Sequence, residues 1–221
     1  MLNQRTIAKK ISVVGIGIHS GKKVNLVMHP APVDFGIQFK RVDLNTAASL
    51  VANVMTVGAT ENNTTIGNGE NSVHTVEHLL AVFYGLGINN IYCEVDGPEI
   101  PIMDGSGVSF VFLLKETGLI SQNNAKKFLV ILEKVKVEVD DKWALFEPAS
   151  KLVIDSTINF AHTIIKTQRK VFEFSCVNFM KDISRARTFG MLKDVDNLKR
   201  KGLIRGGSLD NAIVLDEFKV I

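Results

Sequence analysis

Ser72-Val73-His74-Thr75-Val76-Glu77-His78-Leu79-Leu80 places a carboxylate beside two imidazoles four residues apart. Val76, Leu79, Leu80 and Phe83 recur at helical spacing. That pattern predicts a helix from Ser72, a residue suited to capping, to the Gly85-Leu86-Gly87 stop. Positions i and i+4 share a helix face, which would point His74 and His78 the same way beside Glu77. Neutral nitrogen ligands with an adjacent carboxylate are what a hydrolytic zinc site uses, the carboxylate taking a proton from metal-bound water. His-x-x-Glu-His is also the inverted zinc-peptidase signature, with both histidines on the metal and the glutamate as base. The competing reading is an ordinary amphipathic helix with surface histidines, because a five-residue string with two free positions also arises by chance.

The flanks supply an α+β pattern. Residues 11–14, 24–30 and 36–42 read as strands, interrupted by a glycine-rich turn and by Pro30. Beyond the motif come a strand at 90–95, a Gly97-Pro98 turn and a second helix at 108–117 closed by Gly118. The polar stretch 121–127 reads as a linker. Strands are then expected at 128–132, 135–139, 143–146 and 152–158, helical segments within 177–183 and 195–201, and a strand at 212–215. Both halves open with strands and turn helical later. This predicts two α+β domains of similar build, 1–122 and 128–221. The apolar end Val220-Ile221 has no helix pair behind it, so the second domain is expected to be incomplete.

The chain's 221 residues, 46% hydrophobic and 22% charged, suit a soluble globular protein with a real core. A net charge of +3 fits a small anionic substrate, and equally fits plain solubility. No Lys/Arg run with interleaved aromatics points to nucleic acid. No apolar run approaches the ~20 residues of a membrane span, so no stable membrane insertion is expected. The N-terminus lacks a signal-peptide core. Cys93 and Cys176, each in an apolar strand-like context, read as buried free thiols of a reducing compartment. A cytoplasmic monomer is expected.

Other strings carry weaker chemistry. Gly15-x-Gly17-x-x-x-Gly21 has the wrong spacing for a nucleotide loop and leads into a strand, so its glycines read as a tight turn presenting His19. Asp104-Gly105-Ser106-Gly107 reads as a capping turn. Ser184-Arg185-Ala186-Arg187-Thr188-Phe189-Gly190 joins two arginines and a hydroxyl in one loop. It could hold phosphate or carboxylate, or be a solvated basic turn.

Six strings in order resemble the UDP-3-O-acyl-N-acetylglucosamine deacetylase family over nearly the whole chain: Gly17 to Gly21, Val73 to Leu80, Gly87 to Ile91, Pro98 to Ser106, Ser184 to Gly190 and Gly206 to Ala212. The resemblance implies a zinc amidase of lipid A biosynthesis in Gram-negative bacteria. It implies two small-sheet-plus-helices domains packed as a β-α-α-β sandwich with the site between them. By position, Glu77 would be the general base, His78 a Zn2+ ligand and Thr188 the hydroxyl holding the oxyanion. His74 would line the site without binding metal, and His19 would lie near the metal without ligating it. A βαβ insert at about 189–215 would form the passage for the fatty-acyl chain, with Phe189, Val195, Ile204, Gly207, Ser208, Ala212 and Val214 along it. Small residues such as Gly207 and Ala212 leave room for an alkyl chain. Phe160 is a candidate for stacking on uracil.

The family also uses a His-Lys-x-x-Asp string on a later helix and a further histidine as general acid, and neither occurs up to Ile221. Since a catalytic zinc takes three protein ligands plus water, weak zinc binding and no useful turnover are expected of residues 1–221 alone. Two other readings remain: a metallopeptidase, which needs His74 on the metal, and a non-catalytic module that binds the UDP-acyl-sugar without needing Glu77.

Overall fold

The structure is a computed structural model that describes residues 2–45 and 47–221. Strands β1 (Asn3–Ile7), β2 (Ile11–Ile16), β3 (Lys23–Pro30), β4 (Ile37–Arg41) and β5 (Leu50–Val51) precede helix α1 (Glu77–Leu86). Strand β6 (Ile91–Val95), helix α2 (Val108–Thr117) and strand β7 (Leu119–Ala125) follow. One sheet runs β2-β3-β6-β4-β5, antiparallel except for the β4–β6 pair. Alternation decides its faces. Val24, Leu26 and Met28 of β3 and Ile91, Cys93 and Val95 of β6 turn to one side, where they meet Leu79, Val82 and Phe83 of α1 and Phe110 and Leu114 of α2. β1 and β7 pair separately as an antiparallel ribbon.

The second half is made of smaller units. β8 (Val135–Val139) and β9 (Lys142–Phe146) form one hairpin, β10 (Val153–Asn159) and β11 (Thr167–Glu173) another. The helical turn α3 (Cys176–Asn178) runs on into a π-turn at Phe179–Ile183, whose Phe179 reaches the first half's core. Then β12 (Phe189–Met191), α4 (Leu192–Arg200) and β13 (Ile213–Leu215) make a βαβ unit with parallel strands. The α+β class stands, and the βαβ unit lies within the expected insert.

Four local expectations are corrected. Helix α1 begins at Glu77, because Thr75 has φ +57 and Val73 and His74 are held in β-bridges to Ile66 and Glu99. Ser72 Oγ donates to the Gly69 carbonyl rather than capping a helix. The stretch expected as a linker is strand β7 as far as Ala125: its polar side chains serve packing, Asn90 Nδ2 donating to Gln122 Oε1 at 2.7 Å and Gln122 Nε2 to the Ala31 carbonyl at 2.9 Å. Residues 128–132 form no strand. Cys176 is half-buried at the start of α3, whereas Cys93 is fully buried in β6, where burial pushes its thiol well up.

Candidate active site

Helix α1 opens on the two residues that matter. Glu77 is its first residue and His78 its second, so both sit where the helix dipole favours an anion and where the chain leaves the strained Thr75 turn. Glu77 Oε2 accepts the Thr64 amide at 2.9 Å, which fixes the carboxylate's direction. His78 is half-buried. Desolvation holds its imidazole below the ordinary histidine value, against the opposing pull of Glu77 and Asp104, so the ring favours the neutral, lone-pair-bearing form.

Facing these residues is a cavity of about 400 Å³. Its walls include Glu77, His78 and His19 from the first half and Thr188, Phe189, Val195, Ile204, Gly207, Ser208, Ala212 and Val214 from the second. Sequence reading missed the apolar residues Ile18, Ile102, Leu198 and Leu209 on the same walls. The signal for Leu198 was available: with Leu192 and Val195 it forms a three-residue-spaced stripe on α4, and that stripe faces the cavity. Thr75 and Asn62 also reach it.

Two expected site residues stand off the cavity. His74 lies on the extended segment before α1, its Nδ1 2.9 Å from Thr65 Oγ1 and its Nε2 3.2 Å from Ser72 Oγ. It shares no helix face with His78, so the i and i+4 argument fails for the physical reason that no helix contains both. Burial lowers its pKa, with Glu99 opposing. Phe160 sits behind the wall, its ring edge-on to Phe189 at a centroid distance of 5.7 Å.

The arginine loop resolves toward structure. Arg187 Nε donates to the Asp104 carbonyl at 2.8 Å and Nη2 to the Leu209 and Asp210 carbonyls at 3.1 and 2.6 Å. Its fork therefore ties the Asp104 turn to the insert. Thr188 is placed by the same seam: its amide donates to Gly105 at 2.8 Å and its carbonyl accepts from Ile213 at 2.9 Å. Asp104 accepts from the hydroxyls of Ser106 and Ser109, which fixes the turn before α2.

Among the described residues no three His, Cys, Asp or Glu side chains converge as a metal cluster. The His78 and Glu77 pair does not amount to the three-ligand set of a catalytic zinc.

On this α+β scaffold a carboxylate and an imidazole at the head of a helix line the same largely apolar cavity as Thr188. The sequence matches the UDP-3-O-acyl N-acetylglycosamine deacetylase family over residues 4–221. It is 46% identical over 223 residues to the UDP-3-O-acyl-N-acetylglucosamine deacetylase of Thioalkalivibrio sulfidiphilus, covering all of this chain and 73% of the relative. It is 47% identical to the protein of that name from Pasteurella multocida and 44% to that from Teredinibacter turnerae, covering 73% and 74% of them. The chain belongs to this deacetylase family.

Proposed function

We propose that the cavity binds UDP-3-O-acyl-N-acetylglucosamine and that its N-acetyl amide is the bond hydrolysed, leaving a free 2-amine and acetate in lipid A biosynthesis. The observation that carries this reading is the joint lining of one cavity by Glu77, His78 and Thr188 with the apolar insert residues. Glu77, aimed by the Thr64 amide, takes a proton from the attacking water as its oxygen adds to the acetyl carbonyl carbon. The Thr188 hydroxyl donates to the oxyanion that develops. Phe189, Val195, Ile204, Ala212 and Val214 receive the acyl chain, with Gly207 and Ser208 at its side. The protein acts as a cytoplasmic monomer, and none of the described helices is long and apolar enough to cross a membrane.

Zinc belongs to the family's chemistry, and His78 is the nitrogen this chain would offer it. The donor set among the described residues does not complete a site. Residues 1–221 alone are expected to retain little zinc after gel filtration; near-stoichiometric metal would overturn that expectation.

Calorimetric titration with UDP-3-O-acyl-glucosamine tests the site itself. Wild-type protein should bind, and Ala212→Phe, which fills the cavity, should weaken binding by at least about tenfold. Equal binding by the filled variant would remove the cavity from the function. Amine release from UDP-3-O-acyl-N-acetylglucosamine by wild type and not by Glu77→Gln would support Glu77 as the base and overturn the expectation of no useful turnover.

A further inference from the structure

Behind the cavity wall lies a carboxylate that the mechanism does not use. Glu99 is 1% exposed. Its Oε1 accepts the His19 amide at 3.0 Å and the Thr75 hydroxyl at 2.9 Å, and its Oε2 accepts the Ser20 amide at 2.9 Å. Three donors from two separate segments thus converge on one buried group. Gly17 is packed so closely that a Cβ there would collide with Glu99 Oε2. Both segments line the cavity, through Ile18 and His19 on one side and Thr75 on the other. Thr75 is a β-branched residue at φ +57, a costly conformation that persists only when its surroundings over-determine it. His19 Nδ1 is buried without a hydrogen-bond partner among the described residues, so the ring is not held by its own polar contact at that atom.

We propose that Glu99 is the positioning residue of this site: one carboxylate locks the His19 loop to the strained Thr75 turn and so sets where His19 stands against substrate. The proposal rests on reading the cavity as the substrate site. A carboxylate suits this task because it is an acceptor at both oxygens. A glutamine amide offers one oxygen and turns its NH2 toward a donor. The glycine at position 17 is explained by the same contact, since only a residue without Cβ lets the loop close on Glu99. Glu99 also sits in register with the motif, its backbone bridged to His74, with Ile100 N donating to the His74 carbonyl at 3.0 Å. From Thr75, which Glu99 holds directly, only Val76 separates the clamp from Glu77.

The test is Glu99→Gln in the whole chain, read by NMR. Amide exchange at His19 and Ser20 should accelerate by about tenfold or more, and the His19 ring resonances should shift, while exchange at Leu26 and Met28 in the sheet stays as in wild type. Unchanged exchange and ring signals in a folded variant would overturn the proposal. Should Glu99→Gln fail to fold, Thr75→Val removes one of the three donors and keeps the branched shape. It should still shift the His19 ring signals, and no shift would be equally fatal. Titration with UDP-3-O-acyl-glucosamine separates the two levels. Wild type that does not bind defeats the functional reading and leaves the exchange result to judge Glu99. Wild type and Glu99→Gln that bind equally, with His19 unmoved, defeat the positioning role alone.

Discussion

Helix α1 in the first half gives Leu79, Val82, Phe83 and Leu86 to a shared core, whereas the hairpins of the second half leave Val137, Trp143, Phe146 and Val171 largely exposed. Among the described residues Phe172 and Phe179 are the buried members the second half gives to that core, with Phe174, Met180 and Ile183 packed against it. Stability should therefore concentrate in the first half, which supplies most of the buried core, and the second half should lean on it through a few seams. The cavity spans the difference. Its Glu77 and His78 end stands on the well-packed frame, and many of its apolar walls stand on the βαβ insert. On the proposed function, chemistry that needs fixed geometry would fall on the better-packed side, and the wall that receives a long chain on the less supported one.

The largest effect that could break this contrast is Phe83→Ala. Phe83 is fully buried in α1, and its truncation should cost about 4 kcal/mol in urea unfolding followed by circular dichroism. A loss below about 1 kcal/mol would mean that the first half is not the stable unit. Next comes the seam. Gly105 has φ +84, and a Cβ there would collide with the Asn211 carbonyl. Gly105→Ala should cost about 3 kcal/mol from left-handed strain and overpacking together. It should also speed exchange of the Thr188 amide, which donates to Gly105, more than that of sheet amides in β3. A thermal midpoint and Thr188 exchange equal to wild type would dissolve the seam.

What the sequence made legible follows the same division. Strands β2, β3, β4 and β6 and helix α2 were readable because alternation and helical spacing reflect burial on one side of a sheet or helix. The α1 start was misread because Ser72, a good cap by type, is spent on Gly69, and because the left-handed turn at Thr75 leaves no mark in a hydrophobic pattern. β7 was misread because Gln122 and Asn124 look like linker residues until Asn90, Ala31 and Asp34 are seen opposite them. Glu77 and His78 stood out in the residue pattern itself, Thr188 and the insert residues through resemblance, and the fold brings them to one cavity. Glu99 went unnoticed, since nothing local distinguishes a glutamate that accepts from Thr75, 24 residues away.

Each half also carries an arginine fork on an aspartate, and the pair tests burial directly. Arg41 Nε and Nη2 donate to Asp43 at 2.7 and 2.6 Å, while Nη1 holds the Glu70 and Ser72 carbonyls at 3.1 and 3.0 Å. Arg169 Nε and Nη2 donate to Asp155 at 2.8 and 2.6 Å in almost the same geometry. The Arg41 side chain is 7% exposed and that of Arg169 65%. In both cases the hydrogen bonds from arginine hold the carboxyl below its ordinary value. A carboxyl depressed by folding contributes stability above its unfolded value, and that contribution is lost as pH falls through the lower folded value. Asp43→Asn should remove about 1 kcal/mol at neutral pH, flatten the stability profile below about pH 4, and keep its effect in salt, because the buried guanidinium loses its partner. Asp155→Asn should have a smaller effect that fades at about 0.5 M salt, since water and ions screen the exposed fork. Urea midpoints across that pH range, at low and high salt, decide it. Equal and equally salt-sensitive losses would show that geometry alone sets the worth of the two forks. Unequal losses of the expected sign would show that the first half makes the same contact count for more by keeping water away from it.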